Sequence, residues 1–327
     1  MKIGIIGLGS IGQRHVRCLR ELGHTDIVSF RTKKGEMKKL PKDLSHVNEV
    51  FDMDEFFSIK LDGVIISNPT SLHIKSMKKP LEKKIPIFVE KPIASSLDEI
   101  DKIKNYDLSK VMVGFCFRHN EIIKKIKDSI DKKVIGTIFK ADLYCGQYLP
   151  SWHPYADYKK EYYSKKSLGG GVLRTLSHEL DLLLYFFKDV KEIFADVSKI
   201  SNLKIDVDDN LYLLCKTNKD VLVSVELDFL NTKGERKGTI FGSKGIIKYS
   251  FSKGTVVFID NKGKEKTLYK KSKLDYNDMY VKQMKEFINF INVKKANACS
   301  FNDGLKVMKI INTAEISSKK RCWKKID

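Results

Sequence analysis

The strongest constraint on the fold lies at the N-terminus, where Gly7-Leu8-Gly9-Ser10-Ile11-Gly12 begins at the seventh residue. It follows a short apolar run, Ile3 to Leu8, and precedes a stretch whose apolar residues Val16, Leu19 and Leu22 fall at helical spacing before Gly23. A GxGxxG pattern is weak alone, but strand, glycine turn and helix in this order form the context of a dinucleotide site. Gly7 permits the tight turn, Gly9 lets the backbone approach a pyrophosphate, and Gly12 lets the helix pack closely on the strand. The helix start, Ser10-Ile11-Gly12, then offers amide donors and a positive dipole end to phosphate.

Further apolar runs at Ile27–Phe30, Gly63–Ser67, Pro86–Val89 and Val111–Gly114 alternate with helical stretches, so residues 1–118 read as a parallel-sheet Rossmann domain. After Arg118 the pattern changes. Phe139, Ala141, Leu143 and Cys145 line one face of a strand, and Val221, Val223, Val225, Leu227 and Phe229 line another. Period-two alternation indicates a sheet with one wet face, commonly antiparallel. Turn signals fall at Asn218-Lys219, Lys244-Gly245 and Asn261-Lys262-Gly263. Two amphipathic helices close the chain, one through Tyr280, Met284, Phe287 and Ile291, the other from Leu305 to Ile311 behind an Asn302 cap. The fold class expected is an α/β Rossmann domain plus an α+β domain (119–327) built on a large, open, mostly antiparallel sheet, whose C-terminal helices can pack back on the Rossmann domain.

At 327 residues with 42% hydrophobic content, the chain can bury two cores without disulfides or metals. Its six cysteines (18, 116, 145, 215, 299 and 322) show no CxxC pair and no metal-ligand spacing; they read as reduced thiols of a cytoplasmic protein. No apolar run reaches membrane-span length, and no signal peptide precedes the first strand. The formal charge of +20 raises the question of nucleic acid. The lysines are dispersed among acids, however, with no basic tail or helix. That fits a lysine-rich solvated surface or steering of an anionic ligand, and no nucleic-acid or membrane partner is expected.

The end of the second strand should select the cofactor. An NAD site usually has an acid there to bind the ribose hydroxyls. This chain has Phe30-Arg31-Thr32-Lys33-Lys34, with no acid in the segment to repel a 2′-phosphate. Arg31, Thr32 and Lys33 therefore favour NADP(H), with NAD(H) as the alternative.

Ser67-Asn68-Pro69-Thr70-Ser71-Leu72-His73, Glu90-Lys91-Pro92, and Gly169-Gly170-Gly171-Val172-Leu173 running on to Ser177-His178-Glu179-Leu180-Asp181 follow in order. With the glycine loop, Arg118 and Gly242-Ser243-Lys244-Gly245, they resemble the Gfo/Idh/MocA family of NAD(P)-dependent oxidoreductases along essentially the whole chain. The resemblance implies a cofactor held by Gly7, Gly9, Ser10, Ile11, Gly12, Asn68, Pro69, His73, Glu90, Lys91 and Arg118. It also implies a cis Lys91–Pro92 bond and substrate held between nicotinamide and the open sheet. Oxidising a secondary alcohol needs a hydride acceptor, a base, and a donor to the charge developing on oxygen. Lys91 lies past a parallel strand's carboxyl end, where open α/β sheets place ligands, and is assigned to hydrogen-bond the reacting oxygen. His178 titrates near neutrality and matches the family's catalytic histidine, so it takes the general acid/base role. If its segment is helical, Arg174 and Asp181 should lie one turn away on the same face.

Thr175 departs from the pattern, standing where many relatives carry an aspartate. A hydroxyl can hydrogen-bond but is no carboxylate base. Gly146 to Pro154, followed by Tyr155, Tyr158, Tyr162 and Tyr163, is polar and aromatic. It reads as a substrate loop in which Gln147, Trp152 and Tyr155 join Lys91, Thr175 and His178, or else as a subunit interface. The segment is similar to relatives linked to surface-glycan and nonulosonic-acid synthesis, which implies a sugar or nucleotide-sugar substrate. The reading is a dehydrogenase or reductase of a sugar-like metabolite, forming a homodimer or homotetramer through the C-terminal sheet. The alternative is a catalytically silent dinucleotide-binding regulator.

Overall fold

Ile3–Ile6 (β1) is buried at every position, as an unbroken apolar run must be when both sheet faces are covered. In the computed structural model, which describes residues 1–32, 40–152, 157–293 and 299–326, the glycine turn leads from β1 into helix α1, Ser10–Glu21. There follow β2 (Ile27–Phe30), β3 (Asn48–Val50), α2 (Met53–Ser58), β4 (Gly63–Ile66), α3 (His73–Glu82), β5 (Ile87–Val89), α4 (Leu97–Asp101) and β6 (Val111–Val113). The six strands are ordered β3-β2-β1-β4-β5-β6, and each neighbouring pair is parallel. This is the doubly wound order, in which ligands bind where the connections diverge, here at the carboxyl ends of β1 and β4. β3 was not anticipated: Asn-Glu-Val is too short and too polar to register as a strand.

Beyond α5 (Glu121–Asp131), the second sheet starts with β7 (Ile138–Gly146). Two short helices, α6 (Val172–Thr175) and α7 (His178–Phe187), precede β8 (Glu192–Ser198), β9 (Asn210–Lys216), β10 (Leu222–Asp228) and β11 (Glu235–Gly242). Hairpins then form β12 (Gly245–Ser250), β13 (Thr255–Asp260) and β14 (Glu265–Lys270). Turns fall at the three positions the sequence marks, between β9 and β10, β11 and β12, and β13 and β14, and the β12–β13 turn at 251–254 is a further one. Helices α8 (Tyr276–Val293) and α9 (Phe301–Lys320) lead to β15, Lys324–Lys325. The nine-stranded order is β14-β13-β12-β11-β7-β10-β9-β8-β15. Only β7 and β10 run parallel, so the sheet is mixed but mostly antiparallel. Its buried face carries Ala141, Leu143 and Cys145, with Leu211, Leu213, Val223, Val225 and Leu227.

Two sequence expectations are corrected here. Phe139 is not on the apolar face. A bulge pairs Lys140 with Phe241 but Ile138 with Gly242, leaving Phe139 unpaired and 57% exposed. The last helix begins before Asn302: the Ser300 hydroxyl accepts from the Asp303 amide at 3.3 Å, while Asp303 accepts from the Ser300 amide at 2.8 Å. That is a capping box centred on Ser300.

Residues Met1–His119 and Tyr276–Leu305 form one unit; Asn120–Asp275 and Lys306–Asp327 form the other. The first core is thus completed from far along the chain. Met284, Phe287, Ile288 and Phe290 of α8 pack with Ile3, Ile5, Val16, Leu19, Phe88 and Met112. Among the described residues no helix is long and apolar enough to cross a membrane.

Candidate dinucleotide and catalytic site

Packing inside the protein accounts for two of the three loop glycines. Gly7 has φ +92°, and a Cβ there would lie 2.6 Å from the Asn68 amide nitrogen. A Cβ on Gly12 would lie 2.3 Å from the Gly7 carbonyl oxygen, which Ser67 Oγ already donates to at 2.7 Å. Gly9 differs, because a Cβ there would meet nothing within 4 Å. Gly9 is the N-cap of α1, and no acid stands in the first turn. The first-turn amides of Ser10, Ile11 and Gly12 lie beyond the reach of helix acceptors. At the end of β4, Asn68 Nδ2 donates to Ser76 Oγ at 2.8 Å, while its Oδ1 is buried with no hydrogen-bond partner. Open space at Gly9, a helix terminus without acids and an unsatisfied acceptor beside Pro69 fit a dinucleotide.

The end of β2 reads differently in three dimensions. Arg31 is 7% exposed, and its guanidinium pairs with Glu49 of β3, whose neighbour Val50 accepts the Arg31 amide at 3.0 Å. An acid therefore does stand at this position, contrary to the sequence expectation. It comes from the unforeseen strand. Thr32 is exposed, and Lys33 lies outside the described residues.

Glu90-Lys91-Pro92 leaves the end of β5, and the Lys91–Pro92 bond is cis, as the resemblance implied. Glu90 turns inward. Its Oε1 lies 2.7 Å from Nε2 of His15, and its Oε2 accepts from the Lys91 amide at 3.2 Å. His73 is 1% exposed, with Nδ1 at 2.8 Å from the Pro92 carbonyl and Nε2 at 2.9 Å from the Asn68 carbonyl. Burial lowers its pKa against the pull of those two carbonyls. Both His73 ring nitrogens face backbone carbonyls, and an imidazole with one N–H donates to only one of them. Arg118, 8% exposed, lies 3.6 Å from Asp303. Lys91 itself is half-buried. His15 carried no role in the sequence reading. The only signal was a histidine on the glycine-loop helix.

In the second unit the glycine turn is fixed by Asp208. Gly171 has φ +103°, and a Cβ there would lie 2.2 Å from Asp208 Oδ1. The other carboxylate oxygen accepts from the Leu173 amide at 2.8 Å, capping α6. Burial raises the Asp208 pKa. Thr175, 5% exposed, ends α6, and His178, 9% exposed, begins α7. The turn between them corrects one expectation. Asp181 shares α7 with His178, but Arg174 belongs to α6 and pairs with Glu315 at 2.7 Å. Glu179, fully buried, is held by the Arg236 guanidinium, which anchors the first turn of α7 to β11.

After β7, the Gln147 amide donates to the Asp228 carbonyl at 3.0 Å. Trp152 packs edge-on against Tyr163 at 5.2 Å and Phe229 at 5.6 Å. These two ring contacts hold Trp152, which the sequence reading gave to a substrate loop or a subunit interface, against the protein's own aromatic residues. The Tyr163 carbonyl in turn accepts from the Gly171 amide at 3.0 Å, which ties this loop to the glycine turn. Tyr155 lies outside the described residues.

Two models of one family match this chain: the oxidoreductase family NAD-binding Rossmann fold over residues 1–115, and the GFO/IDH/MocA C-terminal domain over residues 123–248. Among curated proteins, myo-inositol 2-dehydrogenase of Thermotoga maritima is 25% identical over 93% of this chain and 92% of its own length. Glucose-6-phosphate 3-dehydrogenase of Bacillus subtilis is 26% identical over 73% of this chain and 65% of its own. A levoglucosan dehydrogenase solved with NADH and levoglucosan superposes with TM-score 0.87 at 18% identity, covering 100% of this chain and 99% of that one, a likeness of fold. The chain belongs to the Gfo/Idh/MocA family of oxidoreductases. Its N-terminal domain matches the NAD-binding Rossmann fold of that oxidoreductase family.

Proposed function

We propose that this protein oxidises a ring hydroxyl of a cyclic polyol or sugar, or reduces the corresponding ketone, with Lys91 and His178 as its catalytic residues. The observation that carries the reading is the fixing of Lys91 at the carboxyl end of β5, in the unit that holds the glycine loop. A nicotinamide dinucleotide held at the glycine loop would supply the hydride chemistry. Lys91 donates a hydrogen bond to the reacting oxygen and steadies the charge that develops there. His178 takes the hydroxyl proton or gives it back, while Thr175 hydrogen-bonds substrate without acting as a base. The names of the curated relatives, which act on inositols and on glucose 6-phosphate, support an inositol or simple sugar rather than a nucleotide sugar.

For the cofactor we propose dual use. The Arg31 guanidinium serves a 2′-phosphate only to the extent that Glu49 releases it, and Glu49 can accept from ribose hydroxyls. The test is a panel of myo-inositol, levoglucosan, glucose 6-phosphate and related compounds with NAD+ or NADP+, followed at the nicotinamide absorbance band. Turnover that falls about 100-fold or more in Lys91→Ala with dinucleotide affinity retained is the expected result. Dinucleotide binding without turnover across the panel would favour a silent regulator.

A further inference from the structure

We infer that His15 and His73 are positioning residues for Lys91, acting on its two sequence neighbours: His15 through the Glu90 carboxylate, His73 through the Pro92 carbonyl. The inference rests on the reading of Lys91 as the donor to the reacting oxygen.

The two histidines reach the tripeptide from opposite sides. His15 belongs to α1, whose N-terminus is the glycine loop, and meets Glu90 at 2.7 Å. His73 opens α3 and bridges Pro92 at 2.8 Å and Asn68 at 2.9 Å. Glu90 passes the restraint on directly, since its second oxygen accepts from the amide of Lys91 itself. Lys91 is therefore tied in register to the glycine helix and to the Asn68 turn, the two elements that fit a dinucleotide. A donor to the reacting oxygen needs that registration, because small misplacement costs large factors in rate.

Core packing alone does not account for this arrangement. His15 is fully buried, edge-on to Phe88 at 5.1 Å, and its Nδ1 has no hydrogen-bond partner. Glu90, 8% exposed, has its carboxylate against Gly114, where a Cβ would come within 3.1 Å. An apolar pair of similar volume would fill this space without an unsatisfied nitrogen or a desolvated carboxylate. The polar pair is costly where it stands, and what it does there is hold the Lys91 amide.

The readout is the rate at which Lys91 is trace-acetylated by acetic anhydride relative to the other lysines, resolved by peptide mass spectrometry. It needs no substrate. His15→Leu should change that relative rate about threefold or more, and His15→Gln, which keeps a donor, should restore it. The double variant His15→Leu/Glu90→Met, apolar on both sides, should recover any lost thermal stability but not the wild-type labelling rate; a purely structural pair would recover both. His73→Leu and His73→Gln are read in the same way for their half. Wild-type labelling in the folded double variant, or His15→Gln behaving as His15→Leu, overturns the role of His15. Unchanged labelling in His73→Leu overturns that of His73. Labelling changes accompanied by full turnover in Lys91→Ala would instead sink the catalytic reading and leave the bracket standing.

Discussion

The Arg31 guanidinium at the end of β2 is closed onto the Glu49 carboxylate of β3, next to the position that discriminates NAD from NADP. The pair couples cofactor choice to an edge strand. Glu49→Gln removes the competitor for the guanidinium, so NADPH affinity should rise about fivefold to tenfold relative to NADH. Fluorescence titration of both cofactors measures the ratio. An unmoved ratio would show that Arg31 does not face the 2′ position.

Gly9 and Gly12 should separate binding from folding. A methyl at Gly9 meets nothing within 4 Å, so Gly9→Ala should leave the melting temperature nearly unchanged and weaken dinucleotide binding about tenfold or more. At Gly12 the methyl would press 2.3 Å from a backbone oxygen, and Gly12→Ala should cost about 1–3 kcal/mol in the apoprotein. Calorimetry with NADH titration distinguishes the two. Equal loss of stability in both variants would contradict the assignment.

Asp208 gives a pH signature. Burial raises its pKa in the fold, so the native state keeps this proton at a higher pH than the unfolded chain does. The stability it contributes is present below its ordinary value of 3.8 and is lost as pH rises through the folded pKa. Asp208→Asn still accepts from the Leu173 amide and carries no charge to desolvate. Its melting temperature should exceed wild type at about pH 7.5, with the difference shrinking toward pH 4. A difference independent of pH would refute the titration.

The outward face of the nine-stranded sheet presents Phe194, Tyr212 and Leu222, which are 39%, 56% and 37% exposed. Each alternates with buried neighbours, so all three lie on one side. We propose that a second copy covers this face. Sedimentation at micromolar concentration should show a dimer or larger, and Tyr212→Lys/Leu222→Asp should yield monomer. A monomeric wild type would end the proposal.

The sequence was most legible where backbone geometry demands a residue type. The spacing Gly7, Gly9, Gly12 marked a glycine turn because only glycine fits two of those positions, and Glu90-Lys91-Pro92 stood out by its resemblance to the family. What stayed hidden depends on partners distant in sequence. Glu49 sits in a three-residue strand too polar to stand out, yet it changes the meaning of Arg31. Asp208 holds the Gly171 turn from a loop with no pattern of its own. Arg174 seemed a helical neighbour of His178 until the turn after Thr175 directed it to Glu315.

The packing of α8 against β1 and α1 bears on synthesis. Met284, Phe287 and Phe290 emerge from the ribosome only after Asn120–Asp275, so the glycine-loop half cannot seal its core as its first 119 residues are made. Most of the other unit, Asn120 to Asp275, is by then already available to fold. Nascent chains stalled before residue 276 should therefore be cut by protease within their first 119 residues.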